Sequence, residues 1–291
     1  MIALVHGRIR PEERLLLDAA DRLGIDVVPI HDSQLQIDLN GQLIAPTGPV
    51  RADAVLIHSV STSRGLTIAR ACHAAGTPVF NHPDTAATCA DKAATSWALR
   101  AAGVPTPETR VAFTPEAALE ALDAIGYPAV LKPVTGSWAR MISRVRDRQE
   151  AEQLLEHREM LPNPQQHIYY VQQLIDTRTD AGHQDLRVFV VGDEVIAAIH
   201  RTSPSWITNT ARGATTSAVP ITPELRDICL RAAQAVGGGI LAIDAMQGPD
   251  GLLVHEVNHT MEFRNSIDVT GVDIPGRMLQ FVQSRIPVVA W

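Results

Sequence analysis

The stretch LLVHEVNH, residues 252–259, is an apolar strand pattern that also carries oxygen-bearing side chains. Alternate side chains of a strand share a face, so Glu256 and Asn258 point the same way, and Asp244 lies in the preceding apolar run ILAIDA. Glu262 follows shortly after. Carboxylate and amide oxygens are suited to Mg²⁺, which shares its remaining positions with water and phosphates. The alternative is that these acids are simply solvated at strand ends.

Two lysines lie where a phosphate could be bound. Lys92 opens a predicted helix, and Lys132 lies in VLKPV, a strand apolar enough to be buried. A buried lysine needs an anionic partner, which a nucleotide phosphate would supply. The loop after this strand contains Gly136, Ser137 and Trp138, and its backbone amides could cover that phosphate. The alternative is that Lys132 extends from the strand end into solvent.

Charged residues also recur on a predicted hairpin and on the loop that follows it. The hairpin DLRVFVVGDEVIAAIHR contributes Asp185, Arg187 and Arg201, and the loop WITNTARGA contributes Asn209 and Arg212. Arginines beside a magnesium site are what a phosphoryl-transfer transition state requires. Each arginine taken singly is compatible with an exposed surface position. Their joint placement near the three oxygen donors favours an active site.

Strand and helix patterns alternate along the chain and predict an α/β protein with three domains. The first, residues 1–87, begins with the strand IALV and a helix that starts at Pro11 and stops at Gly24. The second, residues 88–171, ends within the strand pattern QHIYYVQQLI, and the third, residues 172–291, contains the hairpin and the metal-ligand strand. We also expect a strand at RMISRV and irregular loops at TRTDAGHQ and over residues 204–218.

Composition excludes several classes of protein. The 291 residues are 45% hydrophobic and 20% charged, as in ordinary globular proteins rather than disordered or fibrous ones. The net charge of -7 argues against a general nucleic-acid binder, and no apolar run approaches the length of a membrane span. The three cysteines lie far apart, which argues against a zinc knuckle or a disulfide framework. We therefore expect a cytoplasmic protein that binds neither nucleic acid nor membrane.

The order of these motifs resembles the ATP-grasp ligases of the RimK-like group. The resemblance covers essentially the whole chain and rests on DKAATS, VLKPVTGSW, the hairpin, WITNTARGA, AID and EVNHTMEFRNS. Within that group, IRPEERLL, SWITNTARG and TGVDIPG look like the LysX-type ligases, which load an amino acid onto the small carrier protein LysW. The resemblance implies an ATP-grasp fold of three α/β domains, with a pre-ATP-grasp domain first and ATP between the central and C-terminal domains.

The resemblance also implies roles for individual residues. Asp244, Glu256 and Asn258 would bind two magnesium ions, and Gln172–Leu174 would form the hinge that receives adenine. The expected ATP-binding residues are Lys92, Lys132, Gly136, Ser137, Trp138, Gln172, Gln173, Leu174 and Asp185. The expected catalytic residues, which neutralise phosphate or carboxylate charge, are Arg187, Arg201 and Arg212. The residues expected to bind the amino-acid substrate are Arg201, Asn209, Arg212, Arg264 and Asn265.

The implied reaction joins a carboxylate to an amine. The side-chain carboxylate of the C-terminal glutamate of an acidic LysW-type carrier would attack ATP, and the resulting acyl phosphate would react with the α-amino group of an acidic amino acid, 2-aminoadipate in the favoured case. Attachment would mask that amine during later steps of lysine biosynthesis. One alternative is the same chemistry with glutamate or another amino acid in arginine or specialised metabolism. Another is a non-catalytic ATP-binding scaffold.

Two positions depart from the LysX pattern. Ala139 stands where the loop usually reads G-S-W-G, and Ala214 ends A-R-G-A where A-R-G-G is usual. Alanine adopts positive φ less readily than glycine, so these positions bear on loop conformation and on the choice of amino acid more than on the ligase chemistry. Relatives suggest a homo-oligomer, either a tetramer or a dimer.

Overall fold

The computed structural model describes residues 1–136 and 138–287. The N-terminal part is a four-stranded parallel sheet of order β2-β1-β6-β7, with a small three-stranded sheet beside it. Pro11 opens the first helix and Gly24, at φ 65°, caps it, as the sequence predicts. The elements are β1 Ile2–His6, α1 Pro11–Leu23, β2 Val27–His31, β3 Gln36–Ile37, β4 Leu43–Ala45, β5 Gly48–Pro49, β6 Ala54–His58, α2 Thr62–Ala74, β7 Val79–Phe80 and α3 Pro83–Ala90.

The central part is a four-stranded antiparallel sheet of order β10-β9-β11-β8 with its own apolar core. The strand expected over RMISRV is shorter than predicted, because only its last residues pair with β9 and Arg140 lies in a turn. The elements are α4 Lys92–Ala101, β8 Thr109–Ala112, α5 Pro115–Ile125, β9 Ala129–Pro133, β10 Ser143–Val145, α6 Arg148–Glu159 and β11 Tyr169–Gln173.

The C-terminal part is a six-stranded antiparallel sheet of order β15-β14-β13-β16-β17, with β12 paired to the start of β13. The predicted hairpin is present. TRTDAGHQ and residues 204–218 are not wholly irregular, because Arg178–Thr179 form a tight hairpin with the start of β13 and Thr215–Ala218 pair with β14. The elements are β12 Arg178–Thr179, β13 Gly182–Val191, β14 Glu194–Ser203, β15 Thr215–Ala218, α7 Pro223–Ala235, β16 Ile240–Gly248, β17 Gly251–Asn258, α8 Arg264–Thr270 and α9 Ile274–Ser284.

The six-stranded sheet is covered on both faces. One face packs against α4 and α7, through Leu99 and Ile228 among others. The other face packs against the N-terminal sheet and α1, so that Leu4, Leu16 and Phe189 belong to one apolar core. This shared core holds the start of the chain against the edge of the sheet that carries the polar strand ends. Within the described residues, no helix combines the length and apolar character needed to span a membrane.

A buried charge cluster ties α1 to β6. Glu13 accepts hydrogen bonds from Arg10, with Nη2 and Oε1 2.8 Å apart, and contacts His58 Nδ1 at 2.5 Å. Burial alone would raise the pKa of Glu13, but the bonds from His58 and Arg10 lower it from 4.5 to about 2. The native state therefore resists protonation of Glu13 in a pH range where the unfolded chain takes up the proton.

We expect the Glu13 cluster to make stability fall as acid is added. A depressed carboxyl pKa contributes its full stabilisation above the unfolded value of 4.5 and loses it as the pH falls towards 2. Glu13→Gln should lower the free energy of unfolding at pH 7 by about 3 kcal/mol and flatten the decline between these two pH values. Urea unfolding at a series of pH values measures both effects. A variant whose stability declines with acid as steeply as the wild type would contradict the assignment.

Candidate active site

A cavity of about 500 Å³ lies between the central sheet and the six-stranded sheet. Its central-sheet wall contains Lys132 from β9 and the residues at the end of β11. Its opposite wall is made by polar side chains from four neighbouring strands of the larger sheet. These are Asp185, Arg187, Arg201, Asp244, Glu256 and Asn258. The structure thus brings both predicted lysines, the three oxygen donors and two of the predicted arginines, Arg187 and Arg201, into one cleft.

Strand register explains how these side chains meet. Asp185 is the pairing partner of Arg201, Arg187 is the partner of Asp244, and Asp244 is in turn the partner of Glu256. Directly opposed residues of an antiparallel pair have neighbouring side chains, so the four strands present a row of charged side chains in which Arg201 faces Asp185, and Asp244 lies between Arg187 and Glu256. The predicted alternation of Glu256 and Asn258 along β17 is present, and pairing adds the cross-strand order.

The row is held by two bidentate ion pairs. Arg187 donates to both oxygens of Asp244 at 2.8 and 2.7 Å, and Arg201 donates to both oxygens of Asp185 at 2.8 and 2.5 Å. Arg201 also lies 3.2 Å from Asp244. Burial alone would raise the pKa of Asp244, but Arg187 and Arg201 hold it well below its usual range. Burial would likewise lower the pKa of Arg201, whereas Asp244 and Asp185 raise it. Asp244 and Arg201 are therefore charged at any physiological pH.

The predicted metal ligands lie side by side. Asn258 Nδ2 is 3.3 Å from Asp244 Oδ2, and the charge of Asp244 raises the pKa of Glu256 in addition to the effect of burial. Lys92 Nζ lies 3.0 Å from Glu256 Oε1, and its charge, together with His255 and Lys132, lowers the pKa of Glu256 despite both effects. Two facing carboxylates and an amide are a donor set that suits Mg²⁺. In the described part of the chain no three His, Cys, Asp or Glu side chains cluster as metal ligands, so the amide is needed to complete such a set.

The two lysines have different surroundings. Lys92 is paired with Glu256 and also donates to the carbonyl of Gly136 at 3.0 Å. Lys132 is buried, donates to Gln172 Oε1 at 2.7 Å and lies 5.9 Å from the centre of the Tyr170 ring. Within residues 1–136 and 138–287, no carboxylate lies within 4.0 Å of its ammonium group. Burial lowers the pKa of Lys132 to about 8, so an anion in the cleft would be strongly favoured.

The loop after β9 folds over the cleft. Trp138 Nε1 donates to Glu262 at 3.0 Å, Arg140 stacks on the Trp138 ring, and Arg212 donates to the carbonyl of Ala139 at 2.8 Å. Ser137, which is predicted to bind ATP, lies outside the described residues. Ala139 has φ 51°, so alanine does occupy a backbone conformation that glycine adopts more easily. No such strain arises at Ala214, which is absent from the positive-φ residues of the described chain.

The expected adenine hinge borders the same cavity. Gln172, Gln173 and Leu174 all line it. The side chain of Gln172 is engaged, because its Nε2 donates to Tyr170 at 2.8 Å and to Thr109 at 3.0 Å while its Oε1 accepts from Lys132. Only the backbone and the neighbouring side chains of this segment are therefore free to meet a ligand.

A second cavity, also of about 500 Å³, adjoins the first. Arg187 and Glu262 are among the residues that line both cavities, so the two cavities share a wall. Of the residues predicted to bind substrate, Arg212, Arg264 and Asn265 lie here. The other two do not: Arg201 is in the ion-pair row, and Asn209 lines the first cavity, where its Oδ1 accepts from the backbone of Ala211 at 2.8 Å.

Sequence reasoning missed several residues of the second cavity. Six of its lining residues are arginines and two are glutamates: Arg8, Arg10, Arg140, Arg187, Arg212, Arg264, Glu12 and Glu262. Glu262, first considered as an oxygen donor, instead binds Trp138 and lies 3.4 Å from Arg10. The motif RIRPEERLL could have indicated Arg8, Arg10 and Glu12, because its charged residues are more numerous than is needed to begin a helix at the protein surface.

His255 was also missed. It occupies an irregularity in the pairing of β16 with β17, and both of its ring nitrogens are buried without a hydrogen-bond partner among the described residues. Burial, reinforced by the nearby Lys132, lowers its pKa to about 4, so His255 is neutral at physiological pH. An extra residue at a bulge is invisible to a simple alternating pattern.

Models of two known domain families together match almost the whole chain. The model of the LysX pre-ATP-grasp domain matches residues 2–88, and the model of the RimK-like ATP-grasp domain matches residues 89–282. The chain is 30% identical to the alpha-aminoadipate–LysW ligase LysX of Sulfurisphaera tokodaii, over 98% of this chain and 99% of that protein. It is 29% identical to the glutamate–LysW ligase ArgX of Sulfolobus acidocaldarius, over 98% of each chain.

A solved structure gives the same result. The crystal structure of a RimK domain ATP-grasp protein from Sphaerobacter thermophilus superposes with a TM-score of 0.79 at 31% identity, covering 97% of this chain and 98% of that one. The mixed α/β architecture is therefore the ATP-grasp fold. The RimK-like model alone matches well over half of the chain. The chain therefore belongs to the RimK-like family of ATP-grasp ligases.

Proposed function

We propose that this ATP-dependent carboxylate–amine ligase joins the C-terminal glutamate side chain of a LysW-type carrier protein to the α-amino group of an acidic amino acid, through an acyl phosphate. The observation that carries the proposal is that the two cavities adjoin and share lining residues. A cleft with lysines and magnesium-type donors lies beside a cavity lined by six arginines. A phosphate-transfer centre thus adjoins a binding site for carboxylates.

The first cavity is suited to ATP. Lys132 has no carboxylate partner in the described chain and Lys92 has one, so a triphosphate would complete the charge balance of the cleft. Asp244, Glu256 and Asn258 would hold Mg²⁺, for which we propose two ions. When bound, the metal would neutralise charge on the phosphates of ATP. Asp185, through Arg201, and the loop at Gly136 and Trp138 would complete the nucleotide site.

The ion-pair row has a part in this chemistry. Arg187 lines both cavities and is oriented by its two hydrogen bonds to Asp244. Its guanidinium therefore lies at the boundary between the proposed phosphate site and the proposed acceptor site. Arg212 holds the covering loop through Ala139 and also reaches the second cavity. Fixed cations cost no reorganisation when negative charge develops in the transition state.

The second cavity favours an acidic amino acid. Six arginines against two glutamates leave an excess of positive charge, and a desolvated carboxylate needs such partners. We assign recognition of the acceptor carboxylates chiefly to Arg264, with Arg212 and Asn265 beside it, and we favour 2-aminoadipate. One relative is named for alpha-aminoadipate and another for glutamate, so glutamate is the second candidate. We further propose that the protein acts as a homo-oligomer, a dimer or tetramer.

Loss of a metal donor should abolish turnover. Glu256→Ala and Asn258→Ala each remove an oxygen ligand without opening the apolar core, so ADP formation should fall roughly 100-fold or more while thermal unfolding stays cooperative. Coupled detection of ADP at varied Mg²⁺ measures this. Glu116→Ala, a change at an exposed carboxylate far from the cleft, is the control. Near-normal ADP formation by Glu256→Ala would show that the metal assignment is wrong.

Lys132 should matter for nucleotide binding rather than for stability. Lys132→Met keeps the apolar stem and removes a buried charge that no carboxylate neutralises, so the unfolding temperature without nucleotide should hold or rise. The Kd for ATP should increase about tenfold or more. Calorimetric titration with ATP and a thermal scan of the same samples measure the two effects. Unchanged ATP affinity would return Lys132 to a purely structural role.

Arg264 should determine the preference for an acidic acceptor. Arg264→Ala should cost about 2–5 kcal/mol in kcat/KM for 2-aminoadipate and for glutamate, and much less for norleucine. Arg70→Ala, at an exposed arginine outside both cavities, is the matched control. Product masses with a LysW carrier protein identify which acceptor is joined. A wild type that prefers norleucine, or a variant with the same preference as the wild type, would exclude this segment from selectivity.

A further inference from the structure

The N-terminal motif RIRPEERLL, two of whose arginines add to the positive charge of the second cavity, forms a wall of that cavity. Arg8, Arg10, Pro11 and Glu12 all line that cavity. They are placed there because α1 packs through Leu16 into the core shared with the six-stranded sheet. The pre-ATP-grasp part of the chain therefore contributes charged groups directly beside the phosphate-transfer centre.

Glu12 is a buried carboxylate without a close partner. The residue is 4% exposed, and no hydrogen bond to its side chain occurs in the described part of the chain. The nearest cation is Arg264, whose Nε lies 3.9 Å from Glu12 Oε1, beyond hydrogen-bond distance. Glu262, the other glutamate of the cavity, is already bonded to Trp138 and close to Arg10. Among the described residues, Glu12 is thus the anion of this cavity that has no hydrogen-bonded cation.

A buried carboxylate with unused acceptors is costly unless a cation completes it. An amino acid supplies one, because it enters with an α-ammonium group as well as carboxylates. The surrounding arginines can take the carboxylates, but they repel the ammonium. We propose that Glu12 binds the α-ammonium group of the acceptor amino acid and receives the proton that this group loses before it attacks. This inference rests on the proposed function.

The ammonium nitrogen gives one proton to Glu12, and its lone pair forms the C–N bond to the acyl carbon. The bond from that carbon to the phosphate oxygen breaks, and phosphate leaves with the electron pair. The second proton lost by nitrogen ends on the phosphate, and Glu12 returns its own proton to water. Only the acyl phosphate and the amino acid are required as reactants.

A position in the first turn of a helix also stabilises a carboxylate, through the partial positive charge of the helix N-terminus. The chain contains a matched case for this effect. Glu116 follows Pro115 at the start of α5 just as Glu12 follows Pro11 at the start of α1, but Glu116 is exposed and far from both cavities. Glu116→Gln therefore measures what the helix position alone contributes.

The experiment compares two nucleophiles for the same acyl phosphate. The wild type, Glu12→Gln and Glu116→Gln are each given ATP, Mg²⁺ and a LysW carrier protein, with either 2-aminoadipate or glutamate, or with hydroxylamine. Hydroxylamine is small and uncharged at neutral pH, so it needs no carboxylate to hold or deprotonate it. The readouts are the amide and hydroxamate products by mass, over a range of pH, together with the thermal unfolding temperature.

For Glu12→Gln, the ratio of amide to hydroxamate should fall roughly 30-fold or more, mainly through kcat/KM for the amino acid. The amide rate of this variant should recover as the pH rises, because solvent then supplies more of the free amine. Glu116→Gln should keep the wild-type ratio.

Two results would overturn the inference while leaving the ligase proposal in place. One is an unchanged ratio in Glu12→Gln, whether both products are normal or both fall together. The other is a lowered ratio with no recovery at high pH. If the wild type forms hydroxamate but no amide with either amino acid, the proposed acceptor class is wrong and Glu12 has no ammonium of that class to bind. If it forms neither product, the carrier-ligase proposal fails, and the role of Glu12 fails with it.

Discussion

The row of opposite charges across the six-stranded sheet is the interaction on which the rest of the site depends. Arg187 and Asp244 lie on neighbouring strands in register and form two short bonds in a buried environment. Either charge alone would be costly there, so the pair is stable only when both strands are correctly placed. A one-residue slip of β13 would turn its charged face towards the apolar core behind it. Folding of the sheet and assembly of the site are therefore the same event.

The two lysines show how the cleft is prepared for an anionic ligand. Lys92 is neutralised by Glu256, which keeps its charge in place despite burial. Lys132 is held instead by the neutral amide of Gln172, and burial lowers its pKa. The cleft thus retains an unneutralised cation at the position where a phosphate would be bound. Because no carboxylate neutralises Lys132 in the described residues of the free protein, its favourable interaction with a bound phosphate adds to the binding free energy of the ligand.

The second cavity exists because three separate parts of the chain meet at one place. The N-terminal motif, the loop after β9 and the segment after β17 are joined through Glu262, which contacts Arg10 and Trp138. The apolar core common to α1 and the six-stranded sheet holds the first and last of these together.

The sequence by itself determined the local elements and much of the first cavity. Proline and glycine mark the ends of α1, the turn residues mark the hairpin, and period-2 alternation places Glu256 and Asn258 on one face of β17. These features depend on neighbours a few residues away, which is why pattern and motif resemblance found them. The resemblance added the family and its chemistry, which composition and spacing alone leave open.

Only the tertiary structure decided the rest. Thr215–Ala218 is a strand because β14 completes its hydrogen bonds, so local propensity does not reveal it. The bulge at His255 is equally a product of pairing. Glu12 and Glu262 are 250 positions apart in the chain and share a cavity because an apolar core, built from both ends of the sequence, packs their elements together. Contacts of that separation are set by packing, and no local pattern of residues carries them.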